Sequence, residues 1–203
     1  MTSAETTLGI TPSQTVGPFF AYGLTPNGQY PWKDTFGNDL TGPDIAGERI
    51  RIEGRVFDGD GVPMTDAMLE IWQADAQGRY AGAAGEPRRH TNAQFQGFGR
   101  AGTDAEGRFV FETIKPGPVP GPDGRPQAPH ILVALFARGM LRQSYTRLYF
   151  ADEPANADDP VLALVPEERR ATLIASRTER DGRALYTFDI RMQGEAETVF
   201  FEI

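Results

Sequence analysis

Residues 48–72 read ERIRIEGRVFDGDGVPMTDAMLEIW, and the pattern of this stretch predicts the class of fold. Ile50, Ile52 and Val56 alternate with polar or charged side chains, which is typical of a strand with one buried face. The DGDG turn at residues 58–61 then leads to a second apolar run, DAMLEIWQA. Two apolar runs joined by an Asp-Gly turn predict a β-hairpin.

Similar strand patterns follow along the chain, at RFVFETI (108–114), HILVALFA (130–137) and TRLYF (146–150). Near the end, an Asp-Gly turn precedes a run in which alternate residues are apolar, namely Tyr186, Phe188, Ile190 and Met192. Only EPANADD and VPEERRATLIA are typical of helices, and both are short. We therefore predict an all-β fold, a single-domain β-sandwich over residues 48–203.

The first 47 residues show no sustained period and mix aromatic side chains with Pro and Gly. We interpret residues 1–47 as an extended N-terminal arm that packs on the domain and on a partner chain.

Composition excludes several classes of function. The 203 residues suit one domain, and 28 acidic against 20 basic side chains give a net charge of −8, which disfavours a nucleic-acid partner. With no cysteine, disulfides and thiolate metal sites are excluded. The chain lacks both an apolar run of ~18 residues and a signal-like start, so we expect a cytoplasmic protein without a membrane partner.

The two histidines are the candidate metal ligands that the residues alone offer. His90 lies in a polar loop and is interpreted as a surface residue. His130 follows Pro129 at the head of a strand, but position 132, where a His-x-His pair would place its second ring, holds Leu132. The residues alone favour a hydrogen-bonded structural histidine over a ligand, and no catalytic constellation is complete.

The run IEGRVFDGDGVPMTDAMLEIWQADAQGRY (52–80) resembles the intradiol ring-cleavage dioxygenases. TIKPGP (113–118) and APHI (128–131) follow in the order and spacing of that family. Some members are built from related α and β chains, and TPSQTVGPFF, LFARG, TRLYF and GEAETVFFEI resemble the α type, which binds no metal. The resemblance implies a β-sandwich of the intradiol dioxygenase type, with few short helices.

The resemblance also implies what has happened to the metal site. In the family, two tyrosines and two histidines hold Fe(III), and their slots here hold Tyr80, Val119, His130 and Leu132. Two of the four ligands are absent, so we expect Fe(III) on a β-type partner chain and none on this chain. Tyr80 and His130 are expected to form hydrogen bonds in a pocket that Val119 and Leu132 help to fill.

For the α type, the resemblance implies a contribution to the substrate pocket by Thr15, Gly17, Pro18 and Arg138. The implied substrates are protocatechuate (3,4-dihydroxybenzoate) and O2, and the implied assembly is an α–β hetero-oligomer. Arg147 in TRLYF is interpreted as structural. Two alternatives stay open: a self-sufficient catechol or hydroxyquinol dioxygenase, and a non-catalytic β-sandwich binding subunit.

Overall fold

The computed structural model describes residues 12, 14–15, 23–25, 36–82, 95–121 and 124–202. Apart from residues 23 and 24, which are helical, the regular structure within these residues consists of strands and short 3₁₀ helices. The strands are β1 (Arg49–Phe57), β2 (Met68–Trp72), β3 (Phe98–Gly102), β4 (Arg108–Ile114), β5 (Val119–Pro120), β6 (Pro126–Gln127), β7 (His130–Phe136), β8 (Ser144–Phe150), β9 (Ile174–Arg180), β10 (Arg183–Thr187) and β11 (Ile190–Arg191).

The main strands form two layers around one core. One layer runs β4-β1-β10-β9, with β11 continuing beside β1, and the other runs β3-β2-β7-β8. A short parallel pairing of β8 with β9 joins them, with Tyr149 opposite Ile174. Ile52 and Phe111 from the first layer and Leu69 and Leu135 from the second belong to one buried apolar cluster. The predicted all-β sandwich is confirmed.

The predicted hairpin between the first two strands is wrong. The chain does reverse at residues 58–61, where Asp58 N–H donates to Val62 O (3.0 Å) and Met64 N–H donates to Val56 O (2.8 Å). Beyond this turn the chain leaves the first layer, so β1 pairs with β4 and β10 while β2 pairs with β3 and β7. The two strands thus lie in different layers, and their apolar side chains, such as those of Ile52 and Leu69, meet in the core between the layers.

The predicted strand near the end of the chain is confirmed in part: β10 ends at Thr187, and the short β11 resumes at Ile190 after a two-residue break. β9 and β10 form an antiparallel hairpin whose two turn residues, Asp181 and Gly182, both have positive φ angles of 53° and 74°. This is the backbone geometry that Asp-Gly turns favour between twisted strands. Tyr186, Phe188 and Ile190 are buried, as the alternation predicts.

Both segments predicted as short helices form 3₁₀ turns, at Pro154–Asp158 and Glu167–Leu173, and a third lies at Leu162–Leu164. None of the helices in the described part has the length and apolar character that a membrane span requires.

The described end of the N-terminal arm contacts the edges of both layers. Gly37 O accepts from Arg100 N–H in β3 (2.9 Å), and Leu40 N–H donates to Glu112 O in β4 (2.8 Å). The Phe36 ring also packs edge-on against Phe98, with centroids 4.7 Å apart. The boundary between the arm and the β-sandwich domain at residue 47 stays a prediction.

Candidate functional site

Backbone contacts bring the four metal-slot positions toward the start of β7. Gly117 N–H donates to Asp75 O (2.9 Å), which ties the loop before Tyr80 to the segment before Val119. Val119 in turn pairs with Gln127 across the β5–β6 ribbon, three residues ahead of His130. The positions so assembled are Tyr80, Val119, His130 and Leu132.

Gly78 is required for this close approach. Its φ is +77°, in the left-handed region, and a Cβ at this position would lie 1.9 Å from the carbonyl oxygen of Pro118. Because that atom belongs to the backbone, it cannot yield as a flexible side chain would. Glycine therefore allows the loop that carries Tyr80 to lie against the Lys-Pro-Gly-Pro segment.

His130 is a buried neutral imidazole with its own backbone partner. The side chain is 5% exposed, and Nδ1 lies 2.8 Å from Ala128 O. A carbonyl can only accept, so Nδ1 carries the proton. Burial and the nearby charge of Arg147 lower the pKa of His130 to about 4, against the opposing effects of Ala128 O and Asp159. The hydrogen bond expected for this histidine is present.

Tyr80 is held by ring stacking. Its ring lies parallel to that of Trp72, with an interplanar angle of 7° and centroids 6.0 Å apart. Burial raises the pKa of Tyr80, while the charge of Arg147 acts in the opposite direction. Among the described residues no hydrogen bond of its hydroxyl is found, so the expected hydrogen bond to a pocket residue is not present there.

The other two positions present only hydrocarbon. Val119 is 5% exposed, and Leu132 is half-buried on β7 opposite Arg147 on β8. Neither side chain has an atom that could bind a metal ion. That these two side chains help to fill the pocket stays a prediction.

A polar network that the sequence interpretation missed crosses this region. Arg147 Nη1 donates to Gln127 Oε1 (2.8 Å) and to the Tyr149 hydroxyl (3.3 Å). That hydroxyl donates to Asp159 Oδ1 (3.1 Å), and Asp159 is 1% exposed. Burial is the main cause that raises the pKa of Tyr149. The signal available in the sequence was the strand period of two in TRLYF, which places Arg147 and Tyr149 on one face.

This donor set does not fit a ferric ion. The four slots offer one phenol and one neutral imidazole, and a guanidinium cation lies beside them. Stable ferric sites need several anionic or neutral donors, and a fixed positive charge opposes a trivalent cation. In the part of the chain that the structure describes, no group of three or more His, Asp or Glu side chains is placed to hold a metal.

A second group of predicted residues lies beyond the other end of β7. The Thr15 hydroxyl oxygen accepts a hydrogen bond from Gly139 N–H (2.7 Å). Because Gly139 directly follows Arg138 in the sequence, this bond brings Thr15 close to Arg138. Arg138 is exposed, and its Nε lies 3.0 Å from Asp66 Oδ2, a partner that the sequence interpretation did not identify. Gly17 and Pro18 lie outside the described residues, as does His90.

The two groups are far apart. His130 is the first residue of the seven-residue strand β7, and Arg138 follows its last residue, Phe136, by two positions. With a rise of ~3.3 Å per residue, β7 alone spans ~20 Å. The emptied slots and the Thr15–Arg138 pair therefore cannot contact the same small molecule within one chain.

Comparison with known proteins identifies the family. A model described as dioxygenase matches residues 17–194. The chain belongs to the intradiol ring-cleavage dioxygenase family. It is 50% identical to the protocatechuate 3,4-dioxygenase alpha chain of Burkholderia cepacia, over 98% of this chain and 100% of that one. It is 38% identical to the beta chain from the same organism, over 79% of this chain and 71% of that one.

Solved structures agree on the fold of this dioxygenase. The dioxygenase domain of a dioxygenase carbohydrate-binding protein fusion from Streptomyces sp. SirexAA-E superimposes with a TM-score of 0.60. The match covers 93% of this chain and 100% of that chain, at 25% identity. The β-sandwich that the resemblance predicts is thus the family's fold, while the roles of individual residues in the two groups stay predictions.

Proposed function

We propose that this chain is the α subunit, which binds no metal, of a hetero-oligomeric protocatechuate 3,4-dioxygenase, and that its β-chain partner holds Fe(III). The observation that carries the proposal is the donor set at the four metal slots, where Val119 and Leu132 offer no metal-binding atom and the Arg147 cation lies opposite Leu132. Identity to an alpha chain over the full length supports the same assignment.

In this proposal the chain binds and orients substrate at the partner's site. The exposed guanidinium of Arg138 attracts the carboxylate of protocatechuate, and Asp66, whose Oδ2 lies 3.0 Å from Arg138 Nε, orients that guanidinium. The bond from Gly139 N–H fixes the Thr15 hydroxyl beside it. Gly17 and Pro18 complete the wall, because a Gly-Pro pair removes side-chain bulk and restricts φ.

The length of β7 supports an assembled site. A pocket that used Arg138 together with this chain's own metal slots would have to extend ~20 Å, the length of the strand. If a partner chain brings its iron to the Arg138 end of β7, the metal and Arg138 can contact one substrate molecule without spanning this distance. The site is then complete only in the α–β assembly.

The proposed reaction inserts both atoms of O2 between the two hydroxylated carbons of protocatechuate and yields 3-carboxy-cis,cis-muconate. This chain's residues supply none of the redox chemistry in that reaction; they hold the carboxylate and enclose the ring. We propose a cytoplasmic location, which a chain without cysteine suits.

Production of the chain with and without a β chain tests the proposal. Iron content, visible absorbance and O2 uptake with protocatechuate would be measured for each chain alone and for the complex. We expect iron and ring cleavage only where the β chain is present, and full activity only in the complex. Stoichiometric iron and ring cleavage by this chain alone would establish a self-sufficient dioxygenase. A β chain that is fully active alone would instead assign this chain a purely structural role.

A further inference from the structure

The outward face of the first layer is rich in arginine. Ile50, Ile52 and Val56 of β1 belong to the buried core cluster, so the residues that alternate with them face outward. The register of β4, β9 and β10 places further charged residues on the same face. The charged residues of these four strands that face outward are Arg49, Arg51, Glu53, Arg55, Arg108, Glu112, Arg180 and Arg183. This excess of positive charge occurs in a chain whose net charge is −8.

Glu53 is the carboxylate at the centre of this face, and three arginines share it. Its Oε1 lies 3.1 Å from Arg180 Nη2, and its Oε2 lies 3.4 Å from Arg51 Nε and 3.7 Å from Arg108 Nη2. Arg51 has a second carboxylate partner in Glu112. In the described part of the chain, Arg108 and Arg180 pair with no other acidic side chain. One carboxylate cannot neutralise these guanidinium groups, so a net positive charge remains around it.

Arg55 and Arg108 stand directly opposite each other on β1 and β4. Directly opposed residues on one face have Cβ atoms ~4.5–5.5 Å apart, and like charges in this arrangement destabilise a sheet. Within the described residues no carboxylate pairs with the exposed side chain of Arg55. Asp189 Oδ1 accepts from the backbone N–H of Arg55 (2.9 Å) and not from its guanidinium. An anion bound between the two guanidinium groups would relieve their repulsion.

An open depression of about 300 Å³ lies beside this pair, and its lining is formed by Glu53, Gly54, Arg55, Arg108, Thr187 and Asp189. Thr187 lies opposite Glu53 on β10, and its side chain is exposed. Among the described residues its hydroxyl has no hydrogen-bond partner. The two carboxylates of the lining are already engaged, one by three arginines and the other by a backbone N–H. The depression therefore offers two cations and a hydroxyl donor to an added group.

We propose that Arg55, Arg108 and Thr187 bind a phosphate group, either as inorganic phosphate or as a phosphomonoester. A dianion matches the two guanidinium charges, and its tetrahedral oxygens can accept hydrogen bonds from both arginines and from the hydroxyl. The same two charges disfavour a metal cation. This site lies on the outer face of the first layer, whereas β7, with His130 and Arg138 near its two ends, belongs to the second. The proposal goes beyond the proposed function and does not rest on it.

Calorimetric titration of the isolated full-length chain with sodium phosphate tests the site, at constant ionic strength in a buffer without other oxyanions. Acetate, a planar monoanion, is the comparison probe. We expect one phosphate per chain, bound at least about tenfold more tightly than acetate. A parallel titration with glycerol 3-phosphate distinguishes the two sources: tighter binding of the ester would assign the site to phosphomonoesters, and equal or weaker binding would assign it to the free ion. If neither phosphate compound bound more tightly than acetate, the proposal would be wrong.

Arg55→Gln should weaken phosphate binding by about tenfold or more, and loss of a like-charge contact should not harm folding. Arg183→Gln is the matched control on the same face, because Ala184 pairs with Ile50 and position 183 therefore lies ~20 Å from Arg55 along the strands. This control should keep its affinity within about twofold. Thr187→Val should weaken binding by about threefold or more, which keeps the test valid if the Arg55 variant does not fold. Unchanged phosphate affinity in a folded Arg55→Gln or Thr187→Val variant would overturn the proposal, as would equal losses in the Arg55 and Arg183 variants.

Discussion

His130 and Arg138 lie at opposite ends of strand β7, the buried imidazole at its first residue and the exposed guanidinium two residues beyond its last. About 20 Å of extended backbone separates the two ends, a length far greater than a single-ring substrate. The chain thus has two regions that can be tested independently: emptied metal slots at one end, and a polar group built from Arg138, Asp66 and Thr15 at the other.

Arg138→Ala in the assembled enzyme should raise the apparent KM for protocatechuate by about tenfold or more, because a charge-assisted hydrogen bond contributes ~1.5–3 kcal/mol. Steady-state O2 uptake measures the change. Catechol, which lacks the carboxylate, should show no comparable change in KM, and iron content should equal that of the wild-type complex. An unchanged KM for protocatechuate would exclude Arg138 from the substrate site.

Restoration of the missing donors should not suffice for tight iron binding while Arg147 is present. Val119→Tyr with Leu132→His rebuilds the four-ligand set, but the guanidinium opposite position 132 still repels the ion. Adding Arg147→Gln should strengthen Fe(III) binding by at least about tenfold, or ~1.4 kcal/mol. Competition against a chelator, with visible absorbance of the iron–tyrosinate, compares the two variants.

Overpacking at position 119 could cost ~1–3 kcal/mol, so the free energy of unfolding of both variants is measured by urea denaturation as a control. Equal iron affinity in the double and triple variants, with both folded, would show that Arg147 does not oppose the metal.

Tyr149→Phe should lower the free energy of unfolding by ~1–3 kcal/mol. The lost hydroxyl donates to buried Asp159 and accepts from Arg147, so its removal leaves both charged groups with fewer partners. Urea denaturation measures the change. Tyr145→Phe is the matched control, because in the part of the chain that the structure describes that hydroxyl accepts a single exposed bond, from Gln143. A similar small effect of both substitutions would mean that the network contributes little to stability.

The acid limb of the stability curve should depend on Asp152. Burial raises the pKa of Asp152, but hydrogen bonds from Tyr186 and the charge of Lys115 outweigh it, and the net pKa lies below the ordinary value of 3.8. A carboxyl with a depressed folded-state pKa stabilises the fold above its unfolded pKa, and this contribution disappears as pH falls through the folded value.

Asp152→Asn should therefore lower the free energy of unfolding at pH 7 by less than ~1 kcal/mol, because solvent screens this exposed carboxylate, and the difference should shrink as pH falls through the folded-state pKa. Denaturation at a series of pH values checks both parts. Asp158→Asn, at an exposed position six residues away, should change stability little at any pH. A deficit that persisted unchanged into acid would show that the Asp152 charge is not its cause.

The strands and the turn at Asp181–Gly182 could be predicted because their signals are local. Period-two alternation reports which face of a strand is buried, and RFVFETI matches β4 residue for residue. The turn at residues 58–61 was also predicted correctly, because its signal is local. The hairpin prediction failed because strand pairing is not local: β2 pairs with β3 and β7, which come later in the chain.

By itself, the sequence determined that this chain is an all-β member of its family and that two of the four metal slots hold no donor, since both follow from residue type and spacing. Only the tertiary structure decided what surrounds those slots. Arg147, Gln127 and Asp159 meet there, and Asp66 meets Arg138, because strand pairing joins residues distant in sequence. The same pairing places β7 between the two regions, and its extended backbone sets the distance that keeps them apart.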